Sequence, residues 1–135
     1  MDVNGDMTLG GGIACADEEI SRPKFKDYAE TINALGELGG GTDAIDFTAG
    51  NVVSATVSTS TQTFTFTNPP ANGIAGSFTL FLTNGGSQTV NWPGSVDWAG
   101  GSAPSLTSSG VDVLTFTTLD AGTIWYGFAA GTDMK

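Results

Sequence analysis

Between Phe47 and Thr132 the charged residues are Asp97, Asp112 and Asp120. Two carboxylates facing one another would be the minimum equipment for hydrolysing a glycosidic bond. Their settings do not converge: Asp97 falls beside a turn, Asp112 early in a strand-like run, and Asp120 in a turn with Gly122. The chain has no His, which excludes Ser–His and Cys–His nucleophile pairs and removes the commonest base near neutral pH. No standard enzyme is expected. Asp2, Asn4 and Asp6 imitate the first three ligands of a calcium loop, but Met7 stands where that loop needs Gly, and Ile13 where it needs Glu. Gly10-Gly11-Gly12 lacks the Lys-Ser/Thr of a phosphate loop. Cys15 is the single cysteine, so neither an intrachain disulfide nor a Cys-rich metal site is expected. No metal and no cofactor are implied. The remaining candidates are Trp92, Trp98, Trp125 and Tyr126, which could stack on a sugar, although Trp in a small β domain more often serves core or interface. Trp98, in the irregular stretch from Pro93 to Pro104, is the best placed for exposure, with Trp92 second as a glycan or partner contact.

The elements that must position these residues are sparsely charged. Charged residues make up 13% of the 135-residue chain, about half the usual share. Acids outnumber bases 14 to 4, giving a net charge of −10, and such a surface repels phosphate backbones, so nucleic acid is not an expected partner. No Lys or Arg occurs between Phe47 and Thr132. Lys normally blunts sheet edges and keeps surfaces solvated, so hydroxyl groups or other subunits must cover these faces, and partial covering by subunits is the favoured reading. The start of the chain has neither a positive region nor an apolar core of a secretory leader, and no run approaches the roughly 18 apolar residues of a membrane span. Neither secretion by that route nor membrane insertion is expected.

Three zones precede or make up the fold. Residues 1–20 hold four glycines and widely spaced apolar residues, Met7, Leu9, Ile13 and Ile20 among them. They form either a disordered tail or an arm ordered by a partner. Residues 21–38 read as an amphipathic helix: Ser21 as N-cap, Pro23 in the first turn, and Phe25, Tyr28, Ile32 and Leu35 at helical spacing. Arg22, Lys24 and Lys26 place three of the four bases near its N-terminus, where positive charge is mildly unfavourable. Residues 39–43 read as a Gly-rich hinge.

Residues 44–135 are β in pattern. Seven short runs rich in β-branched and aromatic residues, from Ala44-Ile45-Asp46 to Thr123-Ile124-Trp125, are separated by turn signals. The expected fold is mainly β, a single sandwich or jelly-roll-like domain behind an extended arm and one short helix. Alternation puts Phe64 with Phe66, Phe78 with Leu80 and Leu82, and Leu114 with Phe116 on core faces, with Ser and Thr opposite. Asn84-Gly85-Gly86 and Asp120-Ala121-Gly122 are expected hairpin turns. Phe81 breaks the alternation, as a strand apolar on both faces would, either central or at a subunit contact. Met7, Leu9, Ile13, Ile20, Phe25, Tyr28, Ile32, Leu35 and Phe81 are therefore the candidate assembly residues.

The run from Phe64 to Phe128 resembles a β-rich module of tailed-bacteriophage structural proteins, of the capsid-decoration (cement) or tail-fibre type. Its most specific pieces are Trp92-Pro93, Trp98 followed by Gly100-Gly101, Ala103-Pro104 with Leu106-Thr107, Gly110 through Leu114, and Asp120 with Gly122 through Trp125. The stretch Arg22 through Gly36 is similar to the short helix that leads into such modules, and Val3 through Gly11 to the turn-rich openings of trimeric phage fibre segments. The resemblance implies a virion protein assembled in the host bacterial cytoplasm as a homotrimer, with the major capsid protein or a tail protein as partner. A chain this short suits a decoration protein whose arm and helix grip the shell. A small tail-fibre or adaptor subunit, and a host-glycan attachment module, are the alternatives.

Overall fold

The computed structural model describes residues 10–11, 15 and 19–135. Nine strands run in order: β1 (Ile32–Leu38), β2 (Gly41–Asp46), β3 (Val52–Val57), β4 (Gln62–Thr67), β5 (Gly76–Thr83), β6 (Val90–Asn91), β7 (Val96–Trp98), β8 (Val111–Thr118) and β9 (Trp125–Met134). The fold is mainly β: 47% of the described residues are strand, and among them no helix reaches seven residues. Two sheets face each other, one of six strands in the order β1-β3-β5-β8-β9-β7, the other of three in the order β2-β4-β6.

From β1 to β6 the chain alternates between the sheets, and every neighbouring pair within a sheet is parallel. The path is a coil of three turns. Ile32 pairs with Val52 and Val52 with Thr79, while Gly41 pairs with Gln62 and Gln62 with Val90. Corners of successive turns stack through hydroxyl groups. Ser58 Oγ donates to the Leu38 carbonyl at 2.9 Å, and Thr59 Oγ1 and Ser60 Oγ donate to the Gly39 carbonyl at 2.9 and 3.0 Å. Gly40, at φ 97°, lies so close under Ser60 that a side chain there would collide with it. Pairing in this interior is parallel, unlike that of a jelly roll.

The last three strands close the coil differently. β8 runs antiparallel to β5 over the whole length from Gly76↔Thr118 to Thr83↔Val111, β9 returns antiparallel along β8, and β7 adds on parallel to β9. Between the sheets lies one core, in which Ile45 and Phe64 from the small sheet meet Val53, Leu80, Leu82, Leu114 and Phe116 from the large one. At one end Phe66, Phe78, Phe116 and Trp125 cluster with ring centroids between 4.9 and 5.5 Å, most of them edge to face, the geometry aromatic pairs prefer.

Several expectations need correction. No helix spans 21–38: residues 19–31 carry no regular element, and Ile32–Leu38 is strand β1. The helical spacing of Phe25, Tyr28, Ile32 and Leu35 is outweighed because a lone helix of this length is marginal, whereas β3 offers a full parallel ladder and a place in the core for Leu38. A bulge between Ala34 and Gly36 resets the alternation. The 39–43 segment is not a hinge between helix and sheet, since Gly39-Gly40 is a corner of the coil and β2 starts at Gly41; the sheet domain begins at Ile32, not at 44. Asn84-Gly85-Gly86 makes a turn, with Asn84 left-handed at φ 56°, but carries the chain to the other sheet instead of folding a hairpin. Asp120-Ala121-Gly122 does sit in the antiparallel β8–β9 connection, with Ala121 and Gly122 both at positive φ.

Candidate functional site

The acids of the β region have structural settings. Asp112 is fully buried; it accepts hydrogen bonds from Thr107 N at 2.6 Å, Thr107 Oγ1 at 2.7 Å and Asp133 N at 3.1 Å. It thereby ties the 102–110 loop and the end of β9 to β8. Asp120 accepts from Ile124 N and Thr118 Oγ1, both at 3.0 Å, and shapes the β8–β9 turn. Asp97 lies exposed on β7. Among the described residues no three of His, Cys, Asp and Glu gather as metal ligands would, and no helix is long and apolar enough to cross a membrane. The Asp2-Asn4-Asp6 pattern and the candidates Met7, Leu9 and Ile13 lie outside the described residues.

The tryptophans proposed for glycan stacking belong to the packing. Trp92 stacks on Phe64 at 5.4 Å, and Trp98 meets Trp92 edge-on at 5.4 Å and Phe116 at 5.5 Å. Gly127 makes room for Trp98: a side chain there would come within 3 Å of its ring. Both indoles are half-buried against the core, and Trp98 also lines a depression of about 290 Å³ with Ala99, Pro104 and Phe128. Leu35 likewise packs on the core.

Alternation along the six-stranded sheet leaves the opposite residues on an outer face. One row across it reads Ile32, Val52, Thr79, Thr115, Phe128; the next reads Ala34, Ser54, Phe81, Val113. Ile32 is 60% exposed, Phe128 52%, Tyr126 43% and Phe81 42%. Phe81 stands near the centre, on β5, and beside it Ala34, Gly36, Ser54 and Thr56 floor a depression of about 290 Å³. Charge is confined to the corners. Glu37, beside Thr56, and Asp97, beside Tyr126, sit diagonally opposite, and Asp133 and Lys135 pair with each other at 2.8 Å beyond the end of β9. An apolar centre with charge at the rim is the anatomy of a protein–protein interface. Five strands about 4.8 Å apart and about seven residues long give a footprint of about 550 Å² per subunit, against about 800 Å² for a standard partner.

The sequence suggests Phe81 for a second apolar strand face, but it suggests a helix stripe for Ile32 and a core face for Phe128 with Trp125 or Tyr126, whereas Ile32, Tyr126 and Phe128 stand exposed on this face. The signal was Gly127: a glycine between two aromatics in a strand marks the crowded inward side, so its neighbours must point out.

A second feature lies on the side where the chain enters β1. Phe47, Pro69, Pro70, Ala71 and Ile74 line a hollow of about 550 Å³, with Thr48 and Asn68 on its polar side. Asn68 Nδ2 donates to Asp46 Oδ1 at 3.0 Å, and Thr48 donates to the same oxygen through Oγ1 at 2.7 Å and through N at 2.9 Å. The bond from Asn68, then those from Thr48, hold the Asp46 carboxyl below the usual carboxylate range. Ahead of β1, Phe25 and Tyr28 are 68% and 70% exposed, with ring centroids 6.2 Å apart.

Comparison of the chain with protein-family models, curated proteins and solved structures finds no match.

Proposed function

We propose that this chain is a non-enzymatic structural protein of a bacteriophage particle, acting as a homotrimeric capsid decoration protein that binds the major capsid protein. The observation that carries this reading is the outer face of the six-stranded sheet, apolar and hydroxyl-bearing across five strands, with acids only at two corners. A chain of net charge −10 repels its own copies except where charge is absent, and this face is such a place. The resemblance of Phe64 to Phe128 to phage structural modules supplies the setting, the virion.

Light scattering at micromolar concentration is expected to give three times the 13.7 kDa chain mass, and co-sedimentation to show binding to capsid shells. A monodisperse monomer that binds no shell would overturn the reading. Phe81→Lys, which puts a charge at the centre of the face, is expected to dissociate the assembly while leaving the fold intact by circular dichroism.

A second reading, a small tail-fibre or tail-adaptor subunit, is favoured by one observation. The coil is closed at β7–β9, while β1 and β2 are both edge strands at its start, as suits the terminal unit of a longer fibre. Immunogold labelling of virions separates head from tail.

A further inference from the structure

The outer face has a flat footprint of about 550 Å² per subunit, and a second contact elsewhere on the body would add to it. The hollow beside Asp46 and the segment leading into β1 are chemically matched. The hollow offers two proline rings, Phe47 and an exposed Ile74, with Thr48 and Asn68 on its polar side, both donating to the neighbouring Asp46 carboxylate. The leading segment, Arg22-Pro23-Lys24-Phe25-Lys26-Asp27-Tyr28, offers two exposed rings interleaved with three of the four bases of the chain. From Ile32 onward the chain carries seven acids against Lys135 alone. Three of the four cations thus sit on a segment outside an acidic body, an arrangement that is complementary between copies.

Resting on the assembly reading, we propose that the hollow lined by Phe47, Pro69, Pro70 and Ile74 receives the Arg22–Tyr28 segment of a second copy. Phe25 or Tyr28 packs on the proline rings, and Lys24 or Lys26 faces Asp46. A second copy is the occupant because the chain's own segment leaves both rings exposed and the hollow open, and because the three bases of the segment complement the acidic body of another copy. The uncharged face then sets which surfaces meet, and the exchanged segment fastens them. Aromatic burial of this kind is worth about tenfold or more in affinity, and the cationic contacts make it salt-sensitive.

The test uses full-length chains in which Cys15→Ser removes the native thiol. One preparation carries Phe25→Cys, the other Ile74→Cys, both at exposed positions where folding is not at stake. Mixed under mild oxidation, they are expected to form a disulfide-linked heterodimer, weakened at least tenfold in yield by Lys24→Glu with Lys26→Glu. Absence of that bridge, while the unsubstituted chain still scatters as an oligomer, overturns the exchanged segment and leaves the assembly reading standing. A bridge that forms only within a doubly substituted chain also overturns it, since the segment then docks on its own body. An unsubstituted chain that scatters as a monomer removes the assembly reading and this contact together.

Discussion

The coil formed by β1–β6 and the closing end formed by β7–β9 reach stability by different means. In the coil, each turn stacks on the one before in parallel register, and the corner at Leu38 and Gly39 is held by exposed or half-exposed hydroxyls from Ser58, Thr59 and Ser60 donating to their carbonyls. At the closing end nothing repeats, and single residues hold several elements at once: Asp112 joins a loop and two strands, Phe116 meets Phe66, Phe78, Trp92 and Trp98. Contacts spread over a repeat are individually weak and replaceable. Contacts concentrated on one residue are not.

The sharpest way to break that contrast is Phe116→Ala, expected to cost about 3–5 kcal/mol in urea unfolding because it empties the centre of the aromatic cluster. A loss under about 1 kcal/mol would mean the closing end is no more concentrated than the coil. Next comes Asp112→Ala, which strands Thr107 N–H and the Thr107 hydroxyl proton and leaves Asp133 N–H with Thr107 Oγ1 alone; about 3 kcal/mol is expected, with faster hydrogen exchange across 102–110. In the coil, Ser58→Ala is expected to cost only about 0.5–1 kcal/mol in thermal melting, since the Ser58 N–H still reaches the Leu38 carbonyl at 3.1 Å. The smallest effect is expected at Asp46→Asn. Asp46 titrates below the 3.8 of a free side chain, so its bonds to Asn68 and Thr48 add stability above that pH and lose it as pH falls through the lowered value. The gap between parent and variant melting temperatures should therefore be widest near neutral pH and close below about pH 3.8.

The same contrast explains what the sequence discloses. Strict alternation in β3, β4, β5 and β8 made those strands and their core residues legible, Phe78, Leu80, Leu82, Leu114 and Phe116 among them, and the break at Phe81 marked the outer face correctly as the side of a central strand. The coil itself was not legible. Its offsets are unequal, 20 residues from Ile32 to Val52 and 27 from Val52 to Thr79, so no repeated text betrays it, and parallel pairing leaves no turn signature of the kind a hairpin has. β1 was hidden because Phe25, Tyr28, Ile32 and Leu35 fall at helical intervals by spacing alone, while the ladder that decides the matter lies 20 residues downstream. Trp98 was expected in an exposed loop; its half-buried packing depends on a glycine at 127, remote in sequence, and on the three-residue strand that sets the ring over it.

The central place of β5 has a consequence for how the protein is made on the ribosome. Its inner residues Phe78, Leu80 and Leu82 need the core, its outer residue Phe81 awaits a neighbour, and one of its edges is filled by β8, whose last residue follows Thr83 by 35 positions. At about 5–20 residues per second, that edge stays unclaimed for about 2–7 s after β5 has been synthesised. Many copies translated side by side would expose the same uncharged strand to one another during that interval. The order of synthesis thus makes β5 the place where premature pairing between nascent chains would begin, and a chaperone that shields it for those seconds would raise the yield of correctly closed protein.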